Sequence, residues 1–257
     1  MRFSKLISAA GVAAVCATLD IAIATGATTI NAGYDLLETV AGTTFGGVAY
    51  QGVPLASYNF GGTIGTQAVG TTDTIVHRLS ATSGAPIATE MVALQLMTTA
   101  PVDFGLGTGF YFITLQSARG GPASVGQRTI SFGPPAAVGS PQGTFDSFFD
   151  VFFDLRLGSL DGPIAVSGDT MLSTHGVPWN QVPTPNELQI PEVNALLNGS
   201  DRNADFWPVG SFDAGDPLSR HRVITASIPE PASVVLLAAG FLCLVAHQIN
   251  ARRRRPA

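Results

Sequence analysis

Between residues 201 and 205 the chain reads Asp201-Arg202-Asn203-Ala204-Asp205, so three oxygen-bearing side chains recur at alternate positions. That is the spacing of the first three ligands of a twelve-residue calcium loop, in which carboxylates and amides converge on a hard cation. The remainder of such a loop does not follow. Phe206 stands where the sharp-turn glycine belongs and Phe212 holds the twelfth position, with Asp213 and Asp216 just beyond as substitutes in an irregular site. Asp201, Asn203 and Asp205 therefore read either as a calcium site or as a solvated acidic turn, and calcium is the one cofactor the sequence offers.

Other chemistries find less. A serine nucleophile wants a tight Gly-x-Ser-x-Gly elbow beside a base, and no such elbow occurs. Zinc wants clustered histidine, cysteine or carboxylate ligands, whereas His77, His175 and His221 are scattered and the central region has no cysteine. Asp146, Asp150 and Asp154 cannot form a glycosidase pair, because on a strand each step of four residues is about 13 Å. Two acids, or an acid with His175 or His221, would have to converge in a concave site for a polysaccharide hydrolase or lyase. Trp179 and Trp207 each stand beside a proline, Pro178 and Pro208, in segments that read as loops. They offer rings either to stack on sugars or to pin those loops to the core. Asn198-Gly199-Ser200 is a glycosylation sequon.

The elements that must position these groups are strands. Residues 25–228 are dense in glycine, threonine, serine and proline, and short apolar runs alternate with turn signals without sustained helical periodicity. Strands are expected at 71–80, 89–98, 110–116, 128–132, 145–157 and 221–228, with weaker ones at 34–40 and 48–58. Gly46-Gly47, Gly61-Gly62 and Gly120-Gly121 read as turns. In 145–157, Phe145, Phe149, Val151, Phe153, Leu155 and Leu157 share one face at period two, and Asp146, Asp150, Asp154 and Arg156 share the other. Phe148 and Phe152 interrupt that polar face, which calls for a covering loop or a binding surface. Pro178, Pro183, Pro185 and Pro191 predict a long loop over 176–191, and a short helix over 191–198 with Pro191 at its first position. The expected fold is one all-β domain, an antiparallel β-sandwich or jelly roll.

Composition bounds the partners. Setting the two ends aside removes six of the 13 basic residues and two of the 18 acids, which leaves seven against sixteen, a net charge of −9. The only lysine, Lys5, lies at the N-terminus. A lysine-free acidic domain repels phosphate backbones, so nucleic acid is not an expected partner.

The ends specify an itinerary. Arg2 and Lys5 precede an apolar run over 6–19, and Ala22-Ile23-Ala24 supplies the small residues a signal peptidase reads, so 1–24 is expected to be a cleaved signal peptide. Near the other end, 232–249 as a helix spans about 27 Å, enough to cross a hydrocarbon core, and Arg252, Arg253, Arg254 and Arg255 then hold that end in the cytoplasm. Pro229 and Pro231 keep Pro229-Glu230-Pro231 extended, where a processing enzyme can grip it.

Pro229-Glu230-Pro231, the apolar segment and the arginine cluster, in that order over 229–257, resemble the PEP-CTERM sorting signal. The resemblance covers about the last 30 residues and implies export by a Gram-negative bacterium that makes extracellular polysaccharide. It further implies recognition of the triplet by an exosortase-type membrane protease and transient residence in the inner membrane before arrival at the cell surface. The domain at 25–228 is then expected to be a structural, adhesive or glycan-binding component of the surface or extracellular matrix, with a polysaccharide-acting enzyme as the alternative.

Overall fold

The computed structural model describes residues 29–133, 142–181, 183, 187–194, 206–208, 211–214 and 216–223. The signal segment 1–24, the acidic turn with Asp201, Asn203 and Asp205, the sequon, and the C-terminal signal from Pro229 through Arg255 lie outside the described residues. Among the described residues no helix is long and apolar enough to cross a membrane.

The protein is all-β and antiparallel. From the N-terminal side come β1 (Gly33–Thr39), the hairpin β2 (Thr43–Phe45) and β3 (Val48–Gly52), a second hairpin of β4 (Ala56–Asn59) and β5 (Thr66–Gly70), then β6 (Thr74–Arg78) and the long β7 (Ile87–Thr98). A small pair, β8 (Val102–Asp103) and β9 (Thr108–Gly109), leads into β10 (Tyr111–Leu115). A 3-10 turn at Gln116–Arg119 separates β10 from β11 (Ser124–Phe132). The two longest strands follow, β12 (Gln142–Leu157) and β13 (Ile164–Asn180), and then β14 (Trp207–Pro208), β15 (Ser211–Ala214) and β16 (Asp216–Val223).

Among the described residues, twelve of these strands join one sheet in the order β14-β13-β12-β10-β7-β6-β1-β16-β15. β11 also lies between β12 and β7, end to end with β10, and the β2–β3 hairpin attaches to β7. The sheet rolls until β15 comes back beside β13. β12 follows its alternation: Phe145, Phe149, Val151 and Leu155 are buried on the inner face while Asp146, Phe148 and Asp150 are exposed on the outer one. Burying one face of an alternating strand fixes its register, because a slip of one residue would turn the whole apolar set outward.

Two glycine sites shape this sheet. Gly46 (φ 57°) and Gly47 (φ 80°) form the two-residue turn between β2 and β3, a backbone that requires positive φ at both positions. Gly176 (φ 62°) makes β13 place two residues opposite Asp146, a bulge whose backbone N–H donates to Asp146 Oδ1 at 2.7 Å. The bulge bends β13 and carries Val177 and Trp179 into the interior.

The outer face is covered in two places. The β4–β5 hairpin and residues 187–194 bury Leu36, Val69, Ile75, Ala93, Ile190 and Val193 against β1, β6 and β7. There Asn194 accepts from Ile190 N at 2.7 Å and donates to Leu188 O at 2.9 Å, which closes the segment on itself. Elsewhere the 3-10 turn lays Arg119 over Asp154.

Several expectations need correcting. The predicted loop over 176–191 is strand as far as Asn180, with Pro178 paired opposite Thr144; Pro178 is accommodated because β13 has a full partner along only one edge there. Residues 191–194 form a turn in which Glu192 has φ 62°, so a right-handed helix does not start at Pro191. β13 and β5 were not expected as strands. Gly46-Gly47, Gly61-Gly62 and Gly120-Gly121 are turns as expected.

Candidate functional site

Three zones follow one another along the inner face. At one end Ile30, Ile87, Ile130, Phe145, Val177, Trp179 and Phe206 form an apolar plug. Trp179, at 1% exposure, stacks on Phe206 with centroids 5.5 Å apart, takes the edge of Phe132 at 5.5 Å, and donates Nε1–H to Ser131 O at 3.3 Å. Trp207 is 3% exposed. Both tryptophans are therefore core residues, and neither presents a face to a sugar. Trp179 lies on β13 rather than in a loop, turned inward by the bulge at Gly176.

The middle zone is polar. Asp35 of β1 accepts from Arg78 Nη1 of β6 on one carboxylate oxygen and from Arg128 Nη1 of β11 on the other. All three side chains are buried. Arg78 also donates Nε–H to Asn31 O at 3.2 Å. The Phe206 ring lies 5.1 Å from the Arg78 guanidinium carbon and 4.9 Å from that of Arg128, which also sits 4.7 Å over Phe145. Burial lowers the Arg128 pKa, Asp35 raises it again, and Arg78 lowers it. Ser147 and Thr174 lie abreast of Arg128 across β12 and β13, their hydroxyls 3.0 Å apart.

Beyond this belt the sheet encloses an open cavity of about 660 Å³. Its walls are carbon: Phe45, Val48, Tyr50, Leu94, Leu96, Phe104, Ile113, Val151, Phe153, Leu155 and Leu172, with Asp169 and Thr170 among the few polar groups. The space arises because β13 offers only Gly168 and Thr170 opposite Phe153 and Val151 of β12. A predominantly apolar concavity of this size lies within the range of small-molecule sites, which run to about 300–1,000 Å³.

Acids elsewhere serve the fold. Asp154 is buried on the outer face and accepts from Arg119 Nε at 2.6 Å and Nη2 at 2.9 Å, from Ser167 Oγ at 2.7 Å and from Arg156 Nη2 at 3.2 Å. The Arg119 hydrogen bonds hold its carboxyl below the usual range. The polar face of β12 is thus covered at Asp154, while Phe148 stays 41% exposed. His175 Nδ1 and Asp146 Oδ1 approach to 3.9 Å, with both side chains open to solvent on the outer face. His77 stacks on Tyr34 at 4.2 Å. Among the described residues no three histidine, cysteine or acidic side chains are placed to hold a metal.

Asp73 is the exception in its titration. Fully buried, it accepts from Thr39 N at 2.7 Å, Thr39 Oγ1 at 2.8 Å and Thr74 Oγ1 at 2.6 Å, yet burial outweighs these bonds and pushes its pKa from 3.8 up to about 6. A folded pKa above the unfolded one means that the folded state holds the extra proton. The stabilisation is complete below about pH 4 and is lost as pH rises through about 6. At about 1.4 kcal/mol per unit this amounts to about 3 kcal/mol. Asp73→Asn, which has no proton to lose, is expected to flatten that part of the stability–pH curve in urea titrations run between pH 4 and 7. A mutant curve parallel to the wild-type curve would show that Asp73 stays ionised.

The sequence did not point to the cavity, since its walls are ordinary core residues. The faint signals were small residues at 168 and 170 beside the aromatic run of β12, and charges at inward-facing positions 35, 78 and 128. No protein-family model, curated protein or solved structure matches the chain.

Proposed function

We propose that this chain is an exported surface or matrix protein, routed by its C-terminal signal, whose sandwich-like β domain acts without catalysis by holding an apolar ligand. The observation that carries the binding role is the 660 Å³ carbon-walled cavity at the open end of the rolled sheet. Burying apolar ligand surface there is favourable by about 25 cal/mol per Å² before ordering costs, and the scarcity of polar groups leaves selectivity to shape. The routing reading rests on Pro229-Glu230-Pro231, the apolar 232–249 segment and the four arginines that follow.

Each half has its own test. A solvatochromic alkyl fluorophore added to the full chain is expected to bind with micromolar affinity. Thr170→Phe, which projects a ring from β13 toward Val151, should weaken binding tenfold or more while leaving the unfolding midpoint unchanged or higher. Equal binding by the variant would place the probe on the apolar ends of the chain and end the cavity reading. For routing, replacing Pro229, Glu230 and Pro231 with alanines should retain the protein in the inner membrane, seen as an intact mass that includes 232–257. Continued release of the mutant would refute the sorting role.

A further inference from the structure

The polar belt is electrically incomplete. Among the described residues, Arg78 and Arg128 bring two positive charges into the interior and Asp35 returns one negative charge, which leaves one positive charge in a buried belt between the Trp179–Phe206 plug on one side and the apolar cavity walls on the other. The donors are incomplete as well. Arg128 Nε, Arg78 Nη2 and Thr89 Oγ1 are buried and have no hydrogen-bond partner. A buried guanidinium N–H left unmade is costly, and such an orphan calls for a water or an ion.

A small void lies beside Arg128. Its volume is about 30 Å³, and it is lined by Arg128, Thr74, Ser147 and Thr174 together with Leu37, Val76, Met91, Phe149 and Leu172. Ser147 and Thr174 are hydrogen-bonded to each other, a contact that uses one hydroxyl hydrogen and leaves the second free to donate. The void exceeds the roughly 10–15 Å³ that one water-sized occupant needs. Water would satisfy the hydrogen bonds but leave the charge, and a divalent or polyatomic anion would not fit. From these observations we infer that the belt binds a single halide-sized monovalent anion, held by Arg128 Nε–H and a hydroxyl of the Ser147–Thr174 pair and serving as the second counter-ion of the two arginines. The site is independent of the apolar cavity and of the routing signal.

Such an anion binds the folded state and not the unfolded chain, so stability should depend on its concentration. Thermal unfolding of the full chain is measured at fixed ionic strength while sodium gluconate is exchanged for sodium chloride or bromide from about 1 to about 100 mM, with sodium sulfate as a second control. The expected result is a midpoint that climbs by several degrees and levels off in both halides, and does not move in gluconate or sulfate. Thr174→Val, which keeps the shape and removes a hydroxyl, should raise the half-saturating halide concentration several-fold. Arg128→Gln should abolish the dependence if it folds, and the Thr174 variant keeps the test decisive if it does not. Crystals grown in bromide should show an anomalous peak beside Arg128 Nε. Identical midpoints in every salt would mean that water fills the void, and a halide effect unchanged in Thr174→Val would mean general salt action; either result overturns the inference.

Discussion

Replacing Asp35 with alanine is expected to lower the stability of the folded domain by about 3–5 kcal/mol, the cost of leaving a buried charge without its partner. Asp35 is the shared acceptor of Arg78 and Arg128, and all three are sealed from water. Two guanidinium groups held close together without the intervening carboxylate repel each other in a medium far less polarisable than water. With a total stability of about 5–15 kcal/mol to draw on, such a loss approaches unfolding. Two comparisons isolate the cause. Asp146→Ala removes an exposed carboxylate that accepts from Gly176 N, and it should cost no more than about 1 kcal/mol. Replacing the whole triad, Asp35→Leu with Arg78→Met and Arg128→Met, removes all three charges together and should cost less than Asp35→Ala alone, because the penalty lies in the unpaired charge rather than in the lost contact. Urea unfolding midpoints at neutral pH order the three variants. An Asp35→Ala midpoint equal to wild type would mean that the arginines are hydrated.

The same residues mark what the sequence could and could not reveal. The alternation along 145–157 gave the strand, its inward face and its register, because period-two burial is a local property of the chain. Gly46-Gly47 gave its hairpin for a local reason too, positive φ at two adjacent positions. β13 was illegible because Ile164–Met171 is exposed or only partly buried at every position and leans on β12 along one edge, so its order comes from a neighbour rather than from its own pattern. Its Pro178 read as a loop signal, whereas it holds a strand position paired opposite Thr144.

Charge was legible in number and not in place. Asp154 shares its face of β12 with Asp146 and Asp150, yet it alone is buried, by an arginine 35 residues earlier in the chain. Likewise Asp35, Arg78 and Arg128 are brought together by strands up to 93 residues apart. Parity assigns a side chain to a face of the sheet; only the rolling of the sheet decides what that face meets.

Trp179→Ala is expected to cost about 3–5 kcal/mol, the range for emptying a buried tryptophan site. The indole closes one end of the rolled sheet, in ring contact with Phe206 and Phe132 and hydrogen-bonded to Ser131 O. Phe206 is also the ring beneath Arg78 and Arg128, so loss of the indole loosens the lid over the buried charges as well as opening a void. Trp179→Phe keeps the stacking and loses the N–H donor, and it should cost roughly 1–2 kcal/mol, with Ser131 O left to find water. A sugar platform would behave in the opposite way: removing an exposed ring weakens polysaccharide binding and leaves stability near wild type, since surface substitutions stay within about 0.5 kcal/mol. Urea unfolding and polysaccharide retention measured on the same preparations separate the two roles. A large fall in midpoint with unchanged retention fixes Trp179 as the plug, whereas an unchanged midpoint with lost retention would return it to the surface and undo the account of the closed end.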